Sequence, residues 1–288
     1  MTSVRLYGFK RIVIYMNIKK IKPCKPLDEY IENYIYIEGN NKGTSLPKIN
    51  MSLVFNLGDA FKLFDDDSYT SFTNYKKHWI AGIQTKPNYA ESYGTSRMFT
   101  IQFKTVGCYA FFKEPLHLFK NEFITLDNLF ANQADETWEQ LICSLTIEAK
   151  VRIVEKFLLE KLIKRQSKNE KIERIGTILS QSDLGRVNHI TTELNTSRKH
   201  LLHLFNNYIG VSPKTLLSIF RLNNTYQSIS KLYPDKLSFL AYEMDFSDQA
   251  HFNNNFKKHT GLKPIEYIQF VKSFSSMKNT PHFIPIIK

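Results

Sequence analysis

Residues 249–258 put the carboxamides Gln249, Asn253 and Asn254 beside the small Ala250 and the cations Lys257 and Lys258. A carboxamide carries a donor and an acceptor side by side, the pair that fits the exposed edge of adenine in a major groove. The lysines suit phosphate oxygens, where they would displace condensed counterions. A second group, Arg198, Lys199, Leu202, His203 and Asn206, stands about 51 residues earlier. Lys199 and His203 can meet base edges there, and Leu202 offers only apolar contact, suited to a thymine methyl. Base reading is therefore expected of Lys199, Leu202, His203, Gln249, Ala250, Asn253 and Asn254. Phosphate contact is expected of Arg198, Asn206, Lys257 and Lys258. This is recognition chemistry, with no bond made or broken.

Such groups need rigid elements to aim them. Leu201, Phe205, Gly210 and Pro213 are repeated by Phe252, Phe256, Gly261 and Pro264 at one offset of 51 residues. Before the second copy, Leu237, Leu240, Ala241 and Met244 recur at the spacing of one helix face. Asp245, Ser247 and Asp248 then supply turn and helix-cap chemistry. Before the first copy, Val187, Ile190 and Leu194 form the stripe, Asn195 sits in the turn and Ser197 is the expected cap. Each glycine stands where a helix ends, and each proline where the next begins. The units read as two helix-turn-helix motifs. A helix from Pro213 to Ser230 joins them, and at about 1.5 Å per residue its length approaches one DNA turn. Amphipathicity alone would equally suit a generic helical bundle with solvated polar faces. The duplicated spacing asks for more.

At these residues, in "NTSRKHLLHLFNNYIGVSPKTLLSIFRL" and "LSFLAYEMDFSDQAHFNNNFKKHTGLKPIEYI", the chain resembles the AraC/XylS family of bacterial transcription regulators. The resemblance covers about residues 171–271. It implies two helix-turn-helix units joined by a long helix, promoter DNA as partner and contact with RNA polymerase. Asn195 and Asp245 stand where that family commonly has a turn glycine, and both types tolerate left-handed geometry. Thr191 replaces a small alanine at the helix crossing, and His203 replaces a frequent arginine, from which lower affinity through the first unit is expected.

Charge agrees with this division. The chain of 288 residues carries a net +12. Residues 1–25 contribute +7, residues 26–169 contribute −1 and residues 170–288 contribute +6. The C-terminal part suits a polyanion, while the near-neutral middle suits sensing or assembly. Cys24, Cys108 and Cys143 are odd in number and lack metal-ligand spacing, which argues for reducing cytoplasm. No apolar run approaches a membrane span, and the stretch before Met16 lacks signal-peptide architecture.

The N-terminal half reads as short strands, among them Tyr34–Ile37, Leu53–Leu57, Trp79–Ile83 and Phe99–Phe103. "KPLDEYIENYIYI", "SLVFNLGD", "WIAGIQTKP" and "FTIQFKTVGCYAFF" look like the cupin-like sensor domain of some members of that family. His78 is the one histidine of this region, Asp65–Asp67 reads as a hairpin tip, and Cys108 reads as a core thiol. No catalytic residue, metal ligand set or cofactor is expected. A helix over Ile147–Leu162 offers Ile153, Phe157 and Leu162 either to a second copy or to its own barrel.

The expected fold is therefore α+β in two domains. Residues 1–16 read as a disordered extension, 17–112 as a β-barrel-like sensor and 113–166 as a helical dimerisation or packing segment. Residues 167–171 read as a linker, 172–272 as the double helix-turn-helix region and 273–288 as a tail. The expected function is sequence-specific DNA binding in transcription control, modulated by a small-molecule effector or by homodimerisation. The alternative is a cupin-like binding protein or enzyme whose helical tail assembles it.

Overall fold

The computed structural model describes residues 16–39, 42–92, 96–162, 170–180, 187–229, 237–243, 246–273 and 283–285. Eleven strands and ten α-helices occur among them: β1 (Met16–Ile21), β2 (Ile31–Gly39), β3 (Lys42–Ser45), β4 (Ser52–Asn56), β5 (Phe61–Phe64), β6 (Phe72–Tyr75), β7 (His78–Ala81), β8 (Asn88–Ser92), β9 (Ser96–Phe103), β10 (Phe123–Thr125), then α1 (Asp127–Phe130), α2 (Asn132–Cys143), α3 (Ile147–Lys161), α4 (Glu170–Ser180), α5 (Val187–Glu193), α6 (Arg198–Tyr208), α7 (Pro213–Ile229), α8 (Leu237–Glu243), α9 (Gln249–Thr260), α10 (Pro264–Ser273) and β11 (Phe283–Pro285).

The strands form two open antiparallel sheets, ordered β1-β2-β9-β4-β7-β10 and β11-β3-β8-β5-β6. The expectation of a barrel is thus corrected, because the sheets face each other without closing. Strand alternation shows why. Val54, Trp79 and Met98 of the first sheet meet Phe61, Tyr75 and Ala90 of the second in one apolar layer. The opposite faces of the same strands carry Leu53, Phe55, Ile80, Phe99 and Ile101 into a second, larger core. The central strands β4, β7 and β9 of the first sheet are buried on both faces, so they need helices as a third layer. β1, an edge strand, exposes Lys19 and Lys20, which discourages further pairing there.

That third layer begins with β10, which pairs with β7 and lies past the expected domain end at residue 112. α2 is fixed by Trp138, whose Nε1 donates to the Asn56 carbonyl at 2.6 Å. α3 starts at the cap Thr146, whose hydroxyl accepts from Ala149 N. Its Val154, Phe157 and Leu158 are buried, and the Phe157 ring meets Phe55 and Phe130 edge-on. Ile153 and Leu162 pack against the same core. The face offered by the sequence either to a second copy or to its own β-rich half therefore packs within the chain, where it covers Phe55 and its neighbours.

The large core does not stop at residues 163–169. Ile172 and Ile175 of α4, Ile190 of α5, Leu201, Leu204 and Phe205 of α6, and Leu216 and Leu217 of α7 all belong to it. The first helical unit and the β-rich half thus share one apolar interior. The second unit has its own core, of Leu222, Tyr226, Leu237, Ala241, Phe252, Phe256, Tyr267, Ile268 and Val271, which includes Leu46 beside β3. β11, from the segment expected to be a tail, pairs with β3.

Candidate nucleic-acid interface

In the first unit α5 ends in a turn closed by Thr196 N donating to the Thr191 carbonyl at 3.1 Å. Asn195 takes a left-handed φ of 43° there. Ser197 then caps α6, its Oγ accepting from His200 N at 3.2 Å. Leu201, Leu204 and Phe205 are buried, which rotates Arg198, Lys199, Leu202 and His203 into solvent. Asn206 is half-buried on the same side. His203 is held at the helix surface by the Asn207 amide, 3.0 Å from Nε2, and stacks beside His200. At 44% exposure Leu202 is an apolar side chain offered to solvent.

The second unit repeats the design with one change. Its closing bond, Phe246 N to the Ala241 carbonyl, lies 50 residues after the equivalent bond of the first unit, while the caps Ser197 and Asp248 lie 51 apart. The second turn is one residue longer. Asp245 itself falls outside the described residues. Asp248 caps α9, with Oδ1 accepting from His251 N at 2.7 Å. That bond, and then the Ser247 hydroxyl, holds the carboxyl below its ordinary range.

Phe252, Phe256 and Thr260 face inward, and Gln249, Ala250, Asn254, Lys257 and Lys258 are exposed. Asn253 differs from the expectation: it is half-buried, and its Oδ1 is enclosed without a partner. At 3.6 residues per turn it sits only about 20° around the helix from buried Thr260, which puts it on the flank of the groove-facing stripe. The outward stripe instead includes His251, which residue type alone did not single out. Its ring lies against Phe246 and near the Ser247 hydroxyl. The α9 C-terminus ends on Gly261 at φ 77°, in left-handed geometry.

Between the units runs α7, begun by Ser212, whose Oγ accepts from Thr215 N. Its 17 residues bury Leu216, Leu217 and Ile219 toward the first core, and Leu222 and Tyr226 toward the second. One helix thus seats both units.

Residues 190–269 match the family model of a helix-turn-helix domain. The C-terminal region is an AraC-type helix-turn-helix domain. Residues 19–125 match a domain of unknown function, DUF6597. The lactose operon transcription activator of Staphylococcus xylosus is 27% identical to the chain over 150 residues, 44% of this chain and 52% of that protein. The chain thus spans about half the length of that relative. Among solved structures, ToxT from Vibrio cholerae is 12% identical, with a TM-score of 0.45 over 89% of this chain and 98% of that one. ToxT bound to (E)-4-(8-methylnaphthalen-1-yl)but-3-enoic acid is 13% identical, with a TM-score of 0.47 over 90% and 99%.

Away from the AraC-type domain, one cluster was not legible as a unit in sequence. His78 Nε2 lies 3.0 Å from Asp135 and 3.7 Å from Asp127. The three ligand atoms lie within 4.8 Å of one another, the spacing of a metal site. A metal on Nε2 would put the imidazole proton on Nδ1, which is buried without an acceptor. Metal-ligating histidines usually give that proton to a partner. Lys77 already sits 2.8 Å from Asp135 and holds its carboxyl below the ordinary range, with His78 contributing. The geometry suits an ion-pair clamp of α2 on β7 better than an ion site. Cys108 is buried, and burial alone pushes its thiol well up, as expected of a core thiol. Asp66, at the β5–β6 hairpin tip, is an exposed turn residue accepting from Ser68 N. No helix among the described residues is long and apolar enough to cross a membrane.

Proposed function

We propose that this chain is a sequence-specific DNA-binding transcription regulator that acts in the cytoplasm. Its AraC-type domain reads two successive major-groove segments of promoter DNA with α6 and α9. The observation that carries this reading is the pair of capped helices, each burying one apolar face and exposing a polar stripe, on a single spacer helix. In the first segment Lys199 and His203 read base edges and Leu202 meets a thymine methyl. In the second, Gln249 and Asn254 read adenines beside Ala250, with Asn253 at the flank. Arg198, Asn206, Lys257 and Lys258 hold phosphates. Asn195, Ser197, Ser247 and Asp248, with Asp245 beyond the described residues, set the turns.

The Staphylococcus xylosus relative is named for activating an operon, and transcription control, with RNA polymerase as a further partner, is carried over from such regulators. The shared core between the β-rich half and α4–α7 supports a modulating role for that half, through a small-molecule effector or a second copy. Selection of binding sites from random-sequence duplex DNA by the full chain tests the reading. Recovery of one sequence with two separated conserved blocks is expected, and recovery of none would overturn it.

A further inference from the structure

Tyr208 and His259 hold the same place in the two repeats, 51 residues apart and late in α6 and α9. Both point away from the groove-facing stripes, and both reach the β-rich half. The Tyr208 ring meets Tyr109 edge-on, with centroids 5.6 Å apart. His259 Nδ1 lies 3.4 Å from the Thr85 carbonyl oxygen.

The two anchor points are themselves tied together. Thr85 donates through its backbone N–H and its hydroxyl to Asn121 Oδ1, at 2.8 and 3.1 Å. Asn121 directly follows Lys120, the end of the 3₁₀ turn that begins at Leu116. Against Leu116 sits Gly210, two residues past Tyr208, so close that an added Cβ would fall 2.8 Å from the Leu116 carbonyl oxygen. Residues 109–121 therefore back α6 directly and α9 through Thr85. The spacer helix α7 is held as well, by Asn223, whose amide donates to the Pro47 carbonyl at 3.4 Å.

We infer that Tyr208 and His259 are positioning residues through which the β-rich half fixes the two recognition helices relative to each other, and so selects the spacing between DNA half-sites. The inference rests on the DNA-binding function proposed above. The spacer helix α7 sets how far apart the units lie. The angle of each recognition helix about that spacer still has to be held, and the two docks lie where a rotation would first be felt.

The test uses the full chain and the duplex recovered by selection from random DNA. Affinity is measured on that duplex, on versions with one to three base pairs added or removed between the blocks, and on a duplex keeping one block. Wild-type protein is expected to lose about tenfold or more on a one-base-pair insertion, since two tethered contacts act through their effective concentration. Tyr208→Ala combined with His259→Ala should flatten that loss to roughly threefold or less while binding the one-block duplex as wild type does. Tyr208→Phe, which keeps the ring, should retain the wild-type profile. Should the double substitution unfold the chain, Tyr109→Leu removes the ring contact from the other side and must flatten the profile as well. An unchanged profile in the double variant or in Tyr109→Leu overturns the inference, and so does a Tyr208→Phe variant that behaves like the alanine variant. If wild type recovers no site at all, DNA binding itself fails, which is a different result from an unchanged profile.

Discussion

Ser197 and Asp248 make the same bond at the same place in the two repeats: each side-chain oxygen accepts the backbone N–H three residues on, from His200 and His251. Those bonds satisfy N–H groups that a helix start leaves without partners. Ser197→Ala should cost about 1 kcal/mol of stability, read by urea unfolding. Asp248→Ala should also destabilise. Because the folded carboxyl is held below its ordinary range, the Asp248 cap contributes fully above the unfolded carboxylate range, near pH 4, and is lost as pH falls through the folded value. Asp248→Asn keeps the cap and should remove that part of the acid sensitivity, which melts between pH 3 and pH 6 would reveal.

Asn195 tests the first turn. At φ 43° a glycine is at ease and a β-branched side chain is not. Asn195→Gly should be tolerated or slightly stabilising, while Asn195→Val should lower stability by roughly 1–2 kcal/mol. Equal melting temperatures for the two variants would contradict the turn geometry.

Gly210 and Gly261 separate backbone strain from domain contact. Both have positive φ, 104° and 77°, so alanine is strained at either, by about 1–2 kcal/mol. A Cβ at Gly261 meets open space, whereas one at Gly210 runs into the Leu116 carbonyl. Gly210→Ala should therefore be clearly the more destabilising of the two and should loosen the α6 contact with the β-rich half. Hydrogen exchange across residues 108–120 would report that loosening, and no difference between the two variants would remove the contact from the account.

Lys257 and Gln249 should fail in different ways. Lys257→Ala should weaken specific and random duplexes nearly alike and lower the salt slope by about one. Gln249→Ala should cost about 1–3 kcal/mol of discrimination at one base pair and leave random DNA nearly untouched. Titrations on both duplexes at several salt concentrations distinguish them. A Lys257→Ala slope equal to that of wild type would make this lysine a solvated surface charge.

The helical half was legible because its signals are local. Leu201 and Phe205, or Phe252 and Phe256, fix a buried face from spacing alone, and Ser197 and Asp248 announce helix starts. The continuous apolar run of Leu53, Val54 and Phe55 marked a strand, and its two buried faces lie in different cores, an arrangement by which residue pattern cannot tell a closed barrel from two sheets under a helical layer. Spacing from Gln249 and Lys257 put Asn253 on the outward stripe, while its angle close to buried Thr260 leaves it half-buried at the edge of that stripe. The His78, Asp127 and Asp135 cluster joins a strand to two helices about fifty residues on, a pairing that no local spacing encodes. The contacts of Tyr208 with Tyr109 and of His259 with Thr85 are long-range in the same way.

The most direct measurement is the affinity of the full chain for its selected duplex beside a scrambled duplex of the same length and composition, at physiological salt. The account predicts a preference of about a thousandfold or more for the selected duplex. It also predicts that Lys199→Ala lowers that preference at the first block and Asn254→Ala at the second, each within about 1–3 kcal/mol. Equal affinity for the two duplexes, or a preference that both substitutions leave intact, would contradict the claim that α6 and α9 read DNA sequence.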